Sequence, residues 1–176
     1  MKKITALATV FLLAAILTGT VYALPGVTFD VGAALPTPSG SFSDAAKAGY
    51  GVGADVFFGV PLIPLKVGGH AAYNRFNAKG SGSETFSILE ILPSVRYSFL
   101  SLGVADIFAQ VGVGYYNFSS SVSGSKTQNK LGFNIGPGVS VMFTPGMRLF
   151  VMPLYNLIKT ENENTSYLSI NLGLRF

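Results

Sequence analysis

Ser166-Tyr167-Leu168-Ser169-Ile170-Asn171-Leu172-Gly173-Leu174-Arg175-Phe176 closes the chain, and its alternation decides the fold class. Successive side chains of an extended strand point to opposite faces. Leu168, Ile170, Leu172, Leu174 and Phe176 therefore share one side, and Tyr167, Ser169, Asn171, Gly173 and Arg175 the other. A soluble sandwich strand can alternate in this way, but it rarely finishes on a bare aromatic. A strand of a transmembrane barrel does, because it runs along an apolar outer face into an aromatic girdle at the membrane boundary.

The rest of the chain agrees with that reading. It has 176 residues, 49% hydrophobic and only 11% charged, with 21 Gly and no Cys. The length suits one domain. So few charges would solvate a soluble domain poorly, yet no internal run reaches the ~18 apolar residues of a spanning helix. The absent cysteines exclude a disulfide framework. At the start, Lys2 and Lys3 precede an apolar stretch from Ile4 to Leu17, and Val21-Tyr22-Ala23 supplies small residues before a cut. Residues 1–23 read as a signal peptide and 24–176 as the mature domain. Losing Lys2 and Lys3 takes two from the formal +4 and leaves about +2. No basic stripe is present, so no nucleic-acid partner is expected.

From Gly26 onward the apolar pattern has period two, broken by polar clusters. Strands are expected near 26–35, 49–60, 65–75, 86–99, 105–118, 131–143, 147–158 and over the closing stretch. The connections alternate between long (36–47, 77–84, 119–129, 159–165) and short (61–64, 100–103, 144–146). This is the plan of an all-β, eight-stranded antiparallel up-and-down transmembrane β-barrel with the long connections at the cell exterior. Outward aromatics sort to two levels under this plan. Phe58, Tyr97, Phe99, Phe143 and Phe176 fall near one end, and Tyr50, Tyr73, Tyr115, Phe133 and Tyr155 near the other, as two girdles. Pro93, Pro137 and Pro153 interrupt three strands, and bulges or irregular pairing are expected at them.

The same parity sends Asp30, Asp55, Glu90 and Asp106 inward with Lys66, Arg96, Arg148 and Arg175. Eight strands make a barrel barely wider than its own side chains, so these charges must pair. Asp106 is expected to meet Arg148 or Arg96. Inward glycines at 51, 53, 112, 114, 132, 136 and 138 leave room for Phe57, Phe108, Tyr116 and Phe150. His70 is the lone imidazole and points inward, which suits a hydrogen-bonded lumen residue better than a catalyst. The outer-membrane lipid deacylases carry a His-x-Ser pair where this chain has His70-Ala71-Ala72. With one His and no Cys, neither a metal site nor a cofactor is expected.

From Leu24 to Phe176 the sequence resembles the small eight-stranded outer-membrane proteins: the OmpA membrane domain, the OmpX/Ail group and the OmpW group. The resemblance rests on the leader, the eight alternating segments and the ending Leu168-x-Ile170-x-Leu172-x-Leu174-x-Phe176. It implies that this ending is the signal read by the barrel-assembly machinery. It also implies residence in the outer membrane of a Gram-negative-type envelope, among lipid and lipopolysaccharide, as a monomer. No peptidoglycan-binding pattern follows, so no cell-wall tether is expected. Three functions are open: a non-enzymatic structural or surface-interaction barrel with a largely plugged lumen, a narrow OmpW-like channel for small or apolar solutes, and a lipid-modifying enzyme.

Overall fold

The computed structural model describes residues 26–80, 84–121, 127–160 and 164–176. The leader expected over 1–23 lies outside them, as do 81–83, 122–126 and 161–163 within the long connections. Eight strands follow in chain order: β1 (Val27–Ser39), β2 (Tyr50–Gly59), β3 (Leu65–Asn77), β4 (Thr85–Leu102), β5 (Ala105–Ser120), β6 (Gln128–Thr144), β7 (Met147–Ile158) and β8 (Thr165–Arg175). Each pairs antiparallel with its successor, and β8 closes on β1. We call the end that carries Gly26 and Phe176 the terminal end and the opposite one the loop end.

The wall inverts the usual inside-out rule, as expected for a protein dissolved in lipid. Val52, Ile91, Val113, Ile135 and Leu172 are exposed on the outside, while Asp30, Glu90, Arg96 and Asn134 are buried inside. Closure also removes the free backbone edges that hydrocarbon would not tolerate.

Two of the inward glycines are seats for aromatic rings. A Cβ on Gly132 would meet the Tyr116 ring at 2.8 Å, and one on Gly138 would run into the Phe108 ring. Gly132→Val should therefore cost about 1–3 kcal/mol by overpacking. The Leu157 carbonyl oxygen lies closer still to that Cβ, at 2.5 Å. Denaturant titration in lipid vesicles should therefore show a lowered midpoint. An unchanged one would mean that both the Tyr116 ring and the β7 backbone give way.

Three sequence expectations need correction. First, β1 does not stop at 35: it continues through Pro36 and Pro38 to Ser39. Gly49 N–H donates to the Pro36 carbonyl at 2.8 Å, so the missing proline N–H faces the β2 side, where β2 has not yet begun. What proline forgoes is at the margin of the β1–β2 ladder, where it is tolerated. Second, the connection expected to be irregular from 36 to 47 contains one helical turn, α1 (Phe42–Ala45). Third, of the bulges or irregular pairing expected at Pro93, Pro137 and Pro153, only the irregular pairing is found there. Pairing lapses beside Pro93 and Pro153, but register holds across both gaps, from Ile91↔Tyr115 to Ser94↔Gly112 and from Ile135↔Tyr155 to Val139↔Val151. The shifts fall instead between Ser98 and Leu100 and between Met142 and Thr144, beside the short turns. A turn end tolerates an extra residue more easily than a ladder held on both sides.

Candidate functional site

Among the described residues the chemistry is concentrated in the interior, and one polar chain runs along it. At the terminal end Arg148 Nη1 meets Asp106 Oδ2 at 2.8 Å, with both side chains partly exposed. Ser140 Oγ donates to Asp106 at 3.3 Å and accepts from Arg175 Nη1 at 3.2 Å. Arg175 then grips Asp30 with two parallel bonds of 2.8 Å each. Such a fork fixes geometry as well as charge.

Asp30 is fully buried and holds a second guanidinium, with Arg96 Nη1 at 2.8 Å from its Oδ2. Arg96 also donates to Gln110 Oε1 from Nε at 3.1 Å and from Nη2 at 2.7 Å. Gln110 passes the link on by donating to Asp55 Oδ1 at 3.1 Å. His70 Nδ1 lies 2.8 Å from the same oxygen, and its Nε2 lies 3.6 Å from Glu90 Oε2. Glu90 accepts from the Asn74 amide and the Tyr167 hydroxyl.

Aromatic rings flank both guanidiniums. Arg96 Cζ sits 4.1 Å from the Phe57 ring centre and 4.8 Å from that of Phe108, and Arg175 Cζ sits 4.3 Å from Phe108. Each ring face attracts a cation. The two like charges held by one carboxylate thus also share contact with the Phe108 ring.

At the loop end the described packing is apolar. Phe42 of α1 drops into the mouth beside Phe76 (ring centres 5.1 Å apart) and meets Phe86 and Phe118 at 6.0 Å each. Phe76, Ile88, Leu92, Tyr116, Ile158 and Tyr167 form the layer beneath. Backbone bonds from Lys47 N to Asn77 O and from Lys79 N to Ala45 O, both 2.8 Å, strap the connection that carries Phe42 to β3. A recess of about 240 Å³ opens at this end between Phe118, Lys130, Ile158 and Thr165, floored by the cap. Beside Asp55 and His70 the remaining space is about 10 Å³, the volume of roughly one water.

The residues singled out from the sequence divide as follows. Asp30, Asp55, His70, Glu90, Arg96 and Arg175 are all buried in the chain just described, and Asp106 and Arg148 form its partly exposed start. Arg96 does not meet Asp106: strand tilt carries its guanidinium across the lumen to Asp30. Lys66 meets no carboxylate among the described residues and donates to Thr28 Oγ1 at 2.7 Å. His70, rather than Lys66, completes the pairing of Asp55 and Glu90. Both its ring nitrogens face carboxylates, which leaves neither to accept a proton from a serine. Tyr50, Phe58, Tyr73, Tyr97, Phe99, Tyr115, Phe133, Phe143 and Tyr155 are exposed on the outer wall, and Phe176 stacks near Phe29 at 6.5 Å. Leu168, Ile170 and Leu172 are exposed on the same wall. Sequence reasoning missed Gln110, Asn74, Tyr167, Ser140 and Phe42. The first four have inward parity, but neutral side chains carry no signal that charges will be wired through them.

The sequence pattern of the family described as outer membrane protein beta-barrel domain matches residues 6–176. The chain belongs to that family. Its location is accordingly the bacterial outer membrane. Solved structures agree on the fold of this outer-membrane barrel. Neisserial surface protein A shares 21% identity and a TM-score of 0.68, over 85% of this chain and 96% of its own. OprG from Pseudomonas aeruginosa shares 14% and 0.57, over 85% and 93%. Ail, the attachment invasion locus protein of Yersinia pestis, shares 13% and 0.53, over 85% and 97%. No curated protein matches the chain.

Proposed function

We propose that this outer-membrane barrel is a non-enzymatic structural or surface-interaction protein with a closed lumen. In this reading its long connections stand at the cell exterior, and its termini and short turns face the periplasm. The observation that carries the reading is the filled axis: a paired polar chain from Arg148 to Tyr167, capped by Phe42, with room beside His70 for one water. A solute would have to break buried ion pairs or lift an aromatic cap to cross. The charged Lys47, Lys79, Glu84 and Lys159 on the long connections support the orientation, since that end must meet water. The exposed apolar face of β8, ending at Phe176, supports recognition by the barrel-assembly machinery, and lipid and lipopolysaccharide are the partners this wall suits as a monomer.

Planar-bilayer recording of the refolded mature chain tests the proposal. Silence is expected, with heat-modifiable gel mobility showing that the barrel has folded. Reproducible conductance steps that change in Glu90→Gln or Arg96→Gln would overturn it in favour of a narrow channel.

A further inference from the structure

The terminal end is not symmetric around its rim. The β2–β3 turn reads Val60-Pro61-Leu62-Ile63-Pro64, without one charged or hydrogen-bonding side chain. Leu62 is fully exposed at its tip and has φ 70°, and Ile63 is also exposed. Left-handed backbone is unfavourable for an ordinary side chain, so glycine or asparagine is the usual occupant. Leucine here adds strain, and within the protein its side chain gains no burial in return.

The next turn extends the same surface. The register shift between Ser98 and Leu100 turns Phe99 and Leu100 outward in succession, and Leu102 and Val104 follow, all exposed. Ser98 N–H donates to Pro64 O at 2.9 Å, which holds the two turns side by side. The patch runs without a break into the lipid-facing wall through Phe58, Val67 and Tyr97, which are exposed too. On its other side the β4–β5 turn is tied to β6 by Met142 N–H, which donates to Val104 O at 2.8 Å, and exposed Met142 and Phe143 extend the patch there. The tip of the β6–β7 turn, Thr144-Pro145-Gly146, has no large apolar side chain.

We infer that the β2–β3 and β4–β5 turns are immersed in the phospholipid leaflet at the terminal end, so that the barrel sits deeper on that side and tilts. Continuity with the lipid-facing wall identifies lipid as the occupant, and exposed apolar surface of this kind is unstable in water. The inference needs only the outer-membrane location. Which leaflet is involved follows from the proposed orientation.

The chain contains no tryptophan, so one introduced residue is a clean reporter. Leu62→Trp and, separately, Leu102→Trp would be refolded as the mature chain into phosphatidylcholine vesicles, with and without brominated acyl chains. Leu172→Trp marks the wall and Lys79→Trp the aqueous end. Gel mobility selects folded protein. Both rim variants should be quenched by bromolipid to the level of Leu172→Trp and should resist aqueous acrylamide several-fold better than Lys79→Trp. Quenching by acrylamide at the Lys79→Trp level would overturn the inference. So would shielding that appears without bromolipid quenching and grows with protein-to-lipid ratio, because a second copy would then cover the patch. These readouts do not depend on whether the lumen conducts.

Discussion

Replacing Asp30 with asparagine lowers the stability of the folded barrel by about 3–5 kcal/mol, the usual cost of leaving a buried charge without its partner. The substitution keeps shape and removes charge. Arg175 loses its fork and keeps the Ser140 hydroxyl, while Arg96 keeps Gln110 and a more distant Asp55 at 3.8 Å. Two guanidiniums thus face one missing carboxylate. Urea titration in lipid vesicles, followed by gel mobility, reads the loss. Asp106→Asn is the internal comparison. Its pair with Arg148 is partly open, at 15% and 22% side-chain exposure, and a solvent-screened pair is worth about 0–1 kcal/mol. Equal costs at the two positions would mean that water reaches Asp30, and the closed lumen would have to be abandoned.

Leu172→Arg lowers stability by about 2–4 kcal/mol if the outer wall faces lipid at this depth. Leu172 is 56% exposed, in the interior of β8, and pairs with Ala33 and Val151, whose side chains also face out. An arginine there cannot reach water without bending along the wall. Ala48→Arg, on the exposed connection after α1, should change stability by almost nothing, since its side chain meets water at either charge. The same unfolding measurement compares the two. A harmless Leu172→Arg would move the membrane band away from this part of β8.

The wall was legible from the sequence because period two is a local property. Whether Val113 points out and Gly112 points in depends only on neighbours in the chain. Strand ends were less legible where proline mimics a loop: Pro36 and Pro38 look like breakers until β2 is seen to begin only at Tyr50. The interior was legible as a set of charges but not as a circuit. Which acid meets which base depends on how far strand tilt displaces side chains across the lumen, and no spacing along the chain records it. Arg96 accordingly crosses to Asp30 rather than to Asp106. Phe42 was hidden for a related reason, since a lone aromatic in a Ser- and Gly-rich connection has no periodicity to announce that it packs inward.

One seam in the wall differs from the other seven. Every other strand pair joins neighbours in sequence, but β1 meets β8, and Arg175 reaches Asp30 across 145 residues. The two-way backbone bonds between Phe29 and Phe176, at 3.1 and 2.8 Å, belong to the same seam. Pairing distant segments costs more chain entropy than pairing adjacent ones. In the order of folding this places the seam last, after the seven hairpin contacts. Until then β1 and β8 each present a bare row of N–H and C=O groups, the surface on which strands of separate molecules add to one another. The Asp30–Arg175 fork thus lies where a nascent sheet either joins its own edge or captures a foreign one.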